Sequence, residues 1–326
     1  MRLKFPVGVL FSCALFFASN AFAWNGTGHE IVADIAWDNL TPEAKAKVTA
    51  LLQQHPDYTR ALMKPTTPAG DERDREAFMV AATWPDLIRS ASFGKSHLLN
   101  RPNWHYIDIP YVIGDVKSPE NPSMKWTVGK EPENAIQAIL KNSADLRNAA
   151  LSPADRAVAL CWIEHLIGDI HQPLHAVSLY SSQFPDGDRG GNSLIVRTDG
   201  PDGRTQNLHS LWDGMLGGFL EIDAVEKIAD KLEKEHPRKE FEKELAVTDI
   251  DHWVYASQDE AKHVVYMEGK VPGVPRSDGD RNGTQPAVPP LPQEYMDRAH
   301  ALADRKVTLA GYRLADALNN IFVANP

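Results

Sequence analysis

Cysteine is nearly absent: the 326 residues contain two, Cys13 and Cys161. Cys13 falls in an amino-terminal segment that reads as removable, so no intrachain disulfide is expected. Cys161 lies among apolar neighbours at helical spacing and reads as inert core. Positive charge is also in short supply. The 34 Lys and Arg face 44 Asp and Glu, a formal charge of −10. That balance argues against gripping nucleic acid through a general basic surface, though not against a nucleic-acid substrate held by metal ions. A long hydrophobic run is missing too, since the apolar stretch from Val7 to Phe17 is too short to span a bilayer comfortably.

That short run is flanked by Arg2 and Lys4 on one side and by Ala21-Phe22-Ala23 on the other. A charged start, a short apolar centre and an A-x-A ending describe a secretory signal peptide over residues 1–23. Cleavage after Ala23 makes Trp24 the first mature residue and, with Arg2 and Lys4 gone, takes the charge to about −12. The mature chain is then expected to be exported, periplasmic or secreted, with no stable membrane association and as a monomer. Residues 24–326 show no internal repeat and no boundary separating two cores, so they read as one domain.

The periodicity predicts an all-α chain: one mostly helical domain with a short β-hairpin. A helix is expected near Ile31–Leu40, and Thr41-Pro42 supplies an N-cap and a proline at the first turn for a second, running to about Gln54. Asp71–Arg89 reads as a helix interrupted at Pro85, a break that could present Asp86. Asn103–Asp108 reads as extended. Glu133–Ala149 is helical, and Ser152-Pro153-Ala154-Asp155 caps the central helix. Gly187–Arg204 reads as a hairpin or long loop around the strand-like Ser193–Val196. Asp223–Ala261 is helical in pieces. Gly269–Gln293, with six prolines, reads as an exposed loop. Glu294–Phe322 closes the chain as a long helix with an apolar stripe.

Histidine, by contrast, is plentiful at twelve residues. In the run Cys161–His175, reading CWIEHLIGDIHQPLH, His165 and Asp169 are four apart and share one helical face. His209 and Asp213 repeat the device. An imidazole and a carboxylate stacked in this way can share a metal such as zinc. His29 near the mature amino terminus, the pair Asp86 and His105, and His175 beyond Pro173 complete the constellation. One such pair would more often be a buried polar contact; two pairs with these additions point to metal. His55, His97, His171, His236, His252, His263 and His300 lack the pattern and read as core or surface.

The motifs W-x4-H from Trp24, T-W-x-D at Asp86, W-H-Y-I-D at His105, H-x3-D-x2-Q-P-L-H from His165 and N-L-H-x2-W-D at His209 run in this order from Trp24 to Asp213. The set resembles the S-one/P-one type zinc-dependent, single-strand-specific nucleases, whose relatives include zinc-dependent phospholipases C. The resemblance implies a phospholipase C/P-one nuclease-like fold and three zinc ions. It places one zinc on Asp86, His105, His165 and Asp169, and a second on His175, His209 and Asp213. A third would sit on the amino nitrogen and carbonyl oxygen of Trp24, with His29 and a bridging oxygen of Asp169. The segment Phe184–Gln206 is longer than in the fungal members and lies beside the site.

Three dications set against Asp86, Asp169 and Asp213 leave a local charge of about +3, enough to hold a phosphodiester on an acidic protein. The resemblance also gives Arg89 a phosphate contact. Tyr106 could stack a splayed base, which is worth roughly 1–3 kcal/mol. Asn192 could bond a base edge, and Asp108 could orient a ligand or water. The expected activity is therefore hydrolysis of single-stranded DNA and RNA to 5′-phosphate products, together with 3′-nucleotidase action on nucleotides. The rivals are a zinc phospholipase C on the same scaffold, whose family tends to carry glutamate where Asp213 stands, and a purely structural or storage zinc protein.

Overall fold

A computed structural model describes residues 24–199, 203–276 and 287–323, so the expected signal peptide lies outside the described residues. The first helix, α1 (Gly26–Asn39), starts where the Asn25 side chain accepts the Gly28 amide at 3.1 Å. The second, α2 (Pro42–Leu52), has Thr41 as its cap and Pro42 in its first turn, a position where proline loses no hydrogen bond. The expected 71–89 helix divides just ahead of its proline, at Ala82–Thr83, into α3 (Asp71–Ala81) and the single turn α4 (Trp84–Leu87), with Pro85 in the first turn of α4. Asp86 thus comes from a tight turn.

Residues 103–108 are not uniformly extended. Pro102–His105 form one 3-10 turn, and only from Tyr106 onward is the chain extended into β1 (Pro110–Val112). Proline pre-sets the turn's φ, and a single turn is too short for periodicity to reveal. Next come α5 (Ala135–Arg147) and the central α6 (Pro153–Asp169), which is buried continuously from Ala159 to its end. Burial on all sides is the mark of a core helix. The chain leaves α6 through the turn Pro173–Ala176 into β2 (Ser178–Tyr180), which pairs with β1 in parallel.

The expected hairpin is β3 (Leu194–Arg197) paired antiparallel with β4 (Thr205–Asn207). Asn207 then caps α7 (Leu208–Asp213) by accepting the Ser210 amide. The pieces predicted within 223–261 are α8 (Ile222–Glu235), α9 (Glu242–Leu245) and α10 (Ile250–Glu260). The proline-rich segment is not wholly loop: β5 (Val274–Pro275) joins the free edge of β3, and Leu291 is buried. Proline tolerates this place because an edge strand can spare its amide. The closing helix α11 (Gln293–Phe322) lies against α1 and α6, and its apolar stripe completes one continuous core. Among the described residues, no helix is long and apolar enough to cross a membrane.

Candidate metal centre

The carboxyl-terminal end of α6 lies against α1, α4 and the turn that carries His105. Side chains far apart in sequence meet there. Asp169 Oδ1 is 3.3 Å from His29 Nε2, while Oδ2 is 3.1 Å from His105 Nδ1 and 3.3 Å from His165 Nε2. His105 Nδ1 and His165 Nε2 are 2.9 Å apart, and Asp86 Oδ1 lies 3.9 and 3.7 Å from them. A neighbouring group holds His209 Nε2, 3.1 Å from His175 Nε2 and 3.7 Å from Asp213 Oδ2. Three groups that could hold metal ions result: His29, His165 and Asp169; Asp86, His105 and His165; and His175, His209 and Asp213. Two donors bound to one zinc at about 2.0 Å in tetrahedral geometry stand roughly 3.3 Å apart. The observed separations bracket that distance.

Tautomers sharpen the case. His175 Nδ1 is 2.5 Å from the His105 carbonyl, and His209 Nδ1 is 2.6 Å from the Gly190 carbonyl. A carbonyl only accepts, so each Nδ1 carries the hydrogen, and each neutral ring turns a lone pair on Nε2 toward the other. Two such nitrogens 3.1 Å apart in a buried site need a proton or a metal cation between them. His165 Nδ1 is likewise fixed at 2.8 Å from the Ala82 carbonyl, but here burial, which would lower the ring's pKa, is outweighed by the Asp169 and Asp86 carboxylates, which raise it. His29 Nδ1 is buried without a hydrogen-bond partner, and His29 Nε2 and Asp169 Oδ1 have only each other, at 3.3 Å. Buried polar atoms so poorly partnered are rare in native cores, and divalent cations would satisfy most of them.

The charges agree. Burial lowers the pKa of His29, and repulsion from His165 adds to it; burial and the Arg89 charge push His105 down to about 4. Both rings therefore stay neutral and free to ligate. Burial would raise Asp169, but the imidazoles of His165, His105 and His29 outweigh it and hold the carboxyl well below its usual range. Asp213 goes the other way: burial raises it strongly and Asp86 and Asp169 add to the rise, despite the hydrogen bond from Gln172. A carboxylate there needs a positive neighbour.

Close approach depends on two glycines. At Gly168 a Cβ would stand 2.9 Å from His29 Nδ1, so α6 could not come so near α1. At Gly190, φ is +60°, and a Cβ would stand 2.5 Å from the Leu174 carbonyl. The Gly190 loop is held by buried Asp188, which accepts from the Leu179 and Gly191 amides and from the Tyr266 hydroxyl. Sequence reasoning missed Asp188, although the DGDRGG run advertised a tight turn. It also gave no role to Gln172, whose Nε2 donates to Asp213 Oδ1 at 2.7 Å.

Arg89 Nη2 pairs with Asp86 Oδ1 at 2.9 Å. Tyr106, next to His105, is exposed, and its hydroxyl is 3.3 Å from Asn103. Asn192 donates to the Arg189 carbonyl within its own loop. Asp108 is pushed up to about 6 by its partial burial and by Asp188. Trp24 is buried, with its indole ring near Gly168 beside His29. His171 stands apart from all three groups: Nδ1 meets the Ile167 carbonyl at 2.7 Å and Nε2 meets Arg313 at 2.8 Å.

The sequence profile of the S1/P1 Nuclease family matches residues 24–323. The chain is 26% identical to Endonuclease 2 of Arabidopsis thaliana, over 94% of this chain and 93% of that protein. Endonuclease 1 of the same plant is 25% identical over 98% and 93%. Nuclease P1 of Penicillium citrinum is 28% identical over 62% of this chain and 63% of its own length. The chain belongs to the S1/P1 nuclease family. It is a nuclease, and so a hydrolase, with three His/Asp groups that could bind metal.

Proposed function

We propose that residues 24–326 form one exported endonuclease domain, released by cleavage after Ala23, that hydrolyses single-stranded DNA and RNA at three zinc ions. The observation that carries this reading is the pair of facing lone pairs on His175 and His209, whose tautomers two backbone carbonyls fix. Asp86, His105, His165 and Asp169 would hold one ion, and His175, His209 and Asp213 another. Trp24 through its backbone, His29 and Asp169 would hold the third. When bound, such ions stabilise negative charge on phosphate oxygens and lower the pKa of water.

The chain's own residues supply the rest. Asp169 divides its two oxygens between groups and so fixes their spacing. Gln172 and the Gly190 carbonyl hold Asp213 and His209 in orientation. Arg89, braced on Asp86, faces a phosphate oxygen, and the exposed ring of Tyr106 accepts a base lifted from its stack. Asn192 bonds a base edge, and Asp108 orients water at the rim. Water's oxygen joins phosphorus, the P–O3′ bond breaks, and O3′ leaves with a proton. The products are a 5′-phosphate and a 3′-hydroxyl. The same bond breaks in a 3′-nucleotide, which accounts for 3′-nucleotidase action on the same site.

Unstacking a base from duplex costs a few kcal/mol, so denatured DNA should be cut at least tenfold faster than native duplex. The test is metal analysis of the purified mature protein, paired with initial rates on denatured DNA, native duplex, 3′-AMP and phosphatidylcholine. Three zinc ions per chain and preference for denatured DNA are expected. Equal rates on duplex would refute the stacking role, and faster release of phosphocholine would make the protein a phospholipase C.

A further inference from the structure

We propose that a cleft between α5 and α11, on the side of α6 away from the metal groups, binds a small carboxylate with an apolar body through Arg313. The cleft has a volume of about 250 Å³, room for about eight waters. Its walls are mostly apolar, formed by Ile139 and Leu140 of α5, Ile167 of α6, Trp253 of α10 and Ile321 of α11. None of its lining residues belongs to a candidate metal group. Leu140 is 39% exposed, so the cleft opens to solvent.

The charge pattern selects the ligand. Arg313 is only 5% exposed, and its guanidinium lies over the Trp253 ring at 4.5 Å. Nη1 donates to His171 Nε2 at 2.8 Å and Nη2 to the Glu244 carbonyl at 3.0 Å, while Nε is buried without a partner. All of these neighbours are uncharged, and a buried charge is ordinarily matched by an opposite one.

The nearby acids are already engaged. Glu260 pairs with Lys306 at 2.7 Å, Glu244 with Arg305, and Asp316, which also lines the cleft, with Arg238 at 2.6 Å. Arg147 adds another cation to the lining. Burial pushes Arg313 down to about 10, with Glu244 and Glu260 opposing the drop, so it remains charged at neutral pH. A carboxylate would meet that charge, and its hydrocarbon part would cover the isoleucines and Trp253. Phenylacetate, a planar ring on a one-carbon arm, is small enough for that volume.

Calorimetric titration of the zinc-loaded protein with phenylacetate provides the test. A ligand of this size with one charge pair should bind with a dissociation constant of about 1 mM. Acetate, which carries the charge without the body, should bind at least tenfold more weakly. Ala317→Phe fills the cleft from α11 and should abolish binding while leaving hydrolysis of denatured DNA unchanged. Arg313→Leu removes the charge and should weaken phenylacetate at least tenfold. Undiminished binding in Ala317→Phe would place the probe elsewhere, for instance on the zinc ions, and would overturn the proposal. So would equal affinity for acetate, or no heat of binding with either ligand.

Discussion

Replacing Gly190 by alanine perturbs two candidate metal ligands through one methyl group. Gly190 has φ +60°, a left-handed conformation that costs an L-residue about 1–2 kcal/mol. The added Cβ would stand 2.5 Å from the Leu174 carbonyl oxygen, roughly 0.9 Å inside ordinary contact. Neither side can yield cheaply. Leu174 precedes His175 in a tight turn, and the Gly190 carbonyl anchors His209 Nδ1 at 2.6 Å. The strain therefore falls on both imidazoles of the His175, His209 and Asp213 group. Lost outer support typically costs 10–100-fold in metal affinity, and a 1 Å misplacement costs about 10² in rate.

We expect Gly190→Ala to bind zinc at that group 10–100-fold more weakly in chelator competition, and to cut denatured DNA about 10²-fold more slowly. Gly129→Ala is the control: its φ is +82°, and a Cβ there would meet nothing within 4 Å. It should lose about 1 kcal/mol of stability and no zinc. A folded Gly190→Ala protein with wild-type zinc affinity and rate would refute the argument that Gly190 holds the ligands in place.

Asp169→Asn keeps the shape but removes the charge shared by His29, His105 and His165. Zinc content should fall, and activity on denatured DNA should drop by at least about 10²-fold; three zincs and full activity would remove Asp169 from its bridging role. His171→Ala deprives Arg313 Nη1 of its acceptor and should lower stability by about 1–3 kcal/mol in urea unfolding. Its zinc content should be normal and most activity retained, and a loss as deep as that of His165→Ala would mean that His171 ligates. A chain extended by methionine before Trp24 turns the α-amino group, with pKa near 8, into an amide whose lone pair is delocalised. It should bind one zinc fewer and be nearly inactive against denatured DNA, and full loading would exclude an amino-terminal ligand.

Eight of the nine candidate ligands, all but Trp24, which came from the family resemblance alone, stood out in the sequence by residue type and spacing and fall in the three His/Asp groups. His165 and Asp169, and again His209 and Asp213, sit four apart, and helical geometry alone puts each pair on one face. Capping was equally local at Thr41 and Ser152, which accept amides as read; Asn25 and Asn207 cap α1 and α7 as well, and α1 starts at Gly26, a turn earlier than the apolar spacing from Ile31 suggested. The break ahead of Pro85 also followed from the residue, because proline has no amide to give.

Other features depend on partners remote in sequence. The pairing of β1 with β2 joins Pro110 to Ser178, and neither three-residue segment has a readable period. The strand at Val274–Pro275 exists only because β3 offers it an edge. Asp188 reads as one more loop acid until Tyr266 and the Leu179 amide close on it, and Arg313 reads as one position on a long helix until it meets His171. The sequence by itself determined most helices, the caps at Thr41 and Ser152 and the types of the candidate metal-binding side chains, because each is written within one or two turns of chain. Only the tertiary structure decided which ring nitrogen of His165, His175 and His209 is turned toward its candidate group, and which charges are buried without an opposite. Tautomer and desolvation depend on the backbone carbonyls and side chains that folding brings from far along the chain.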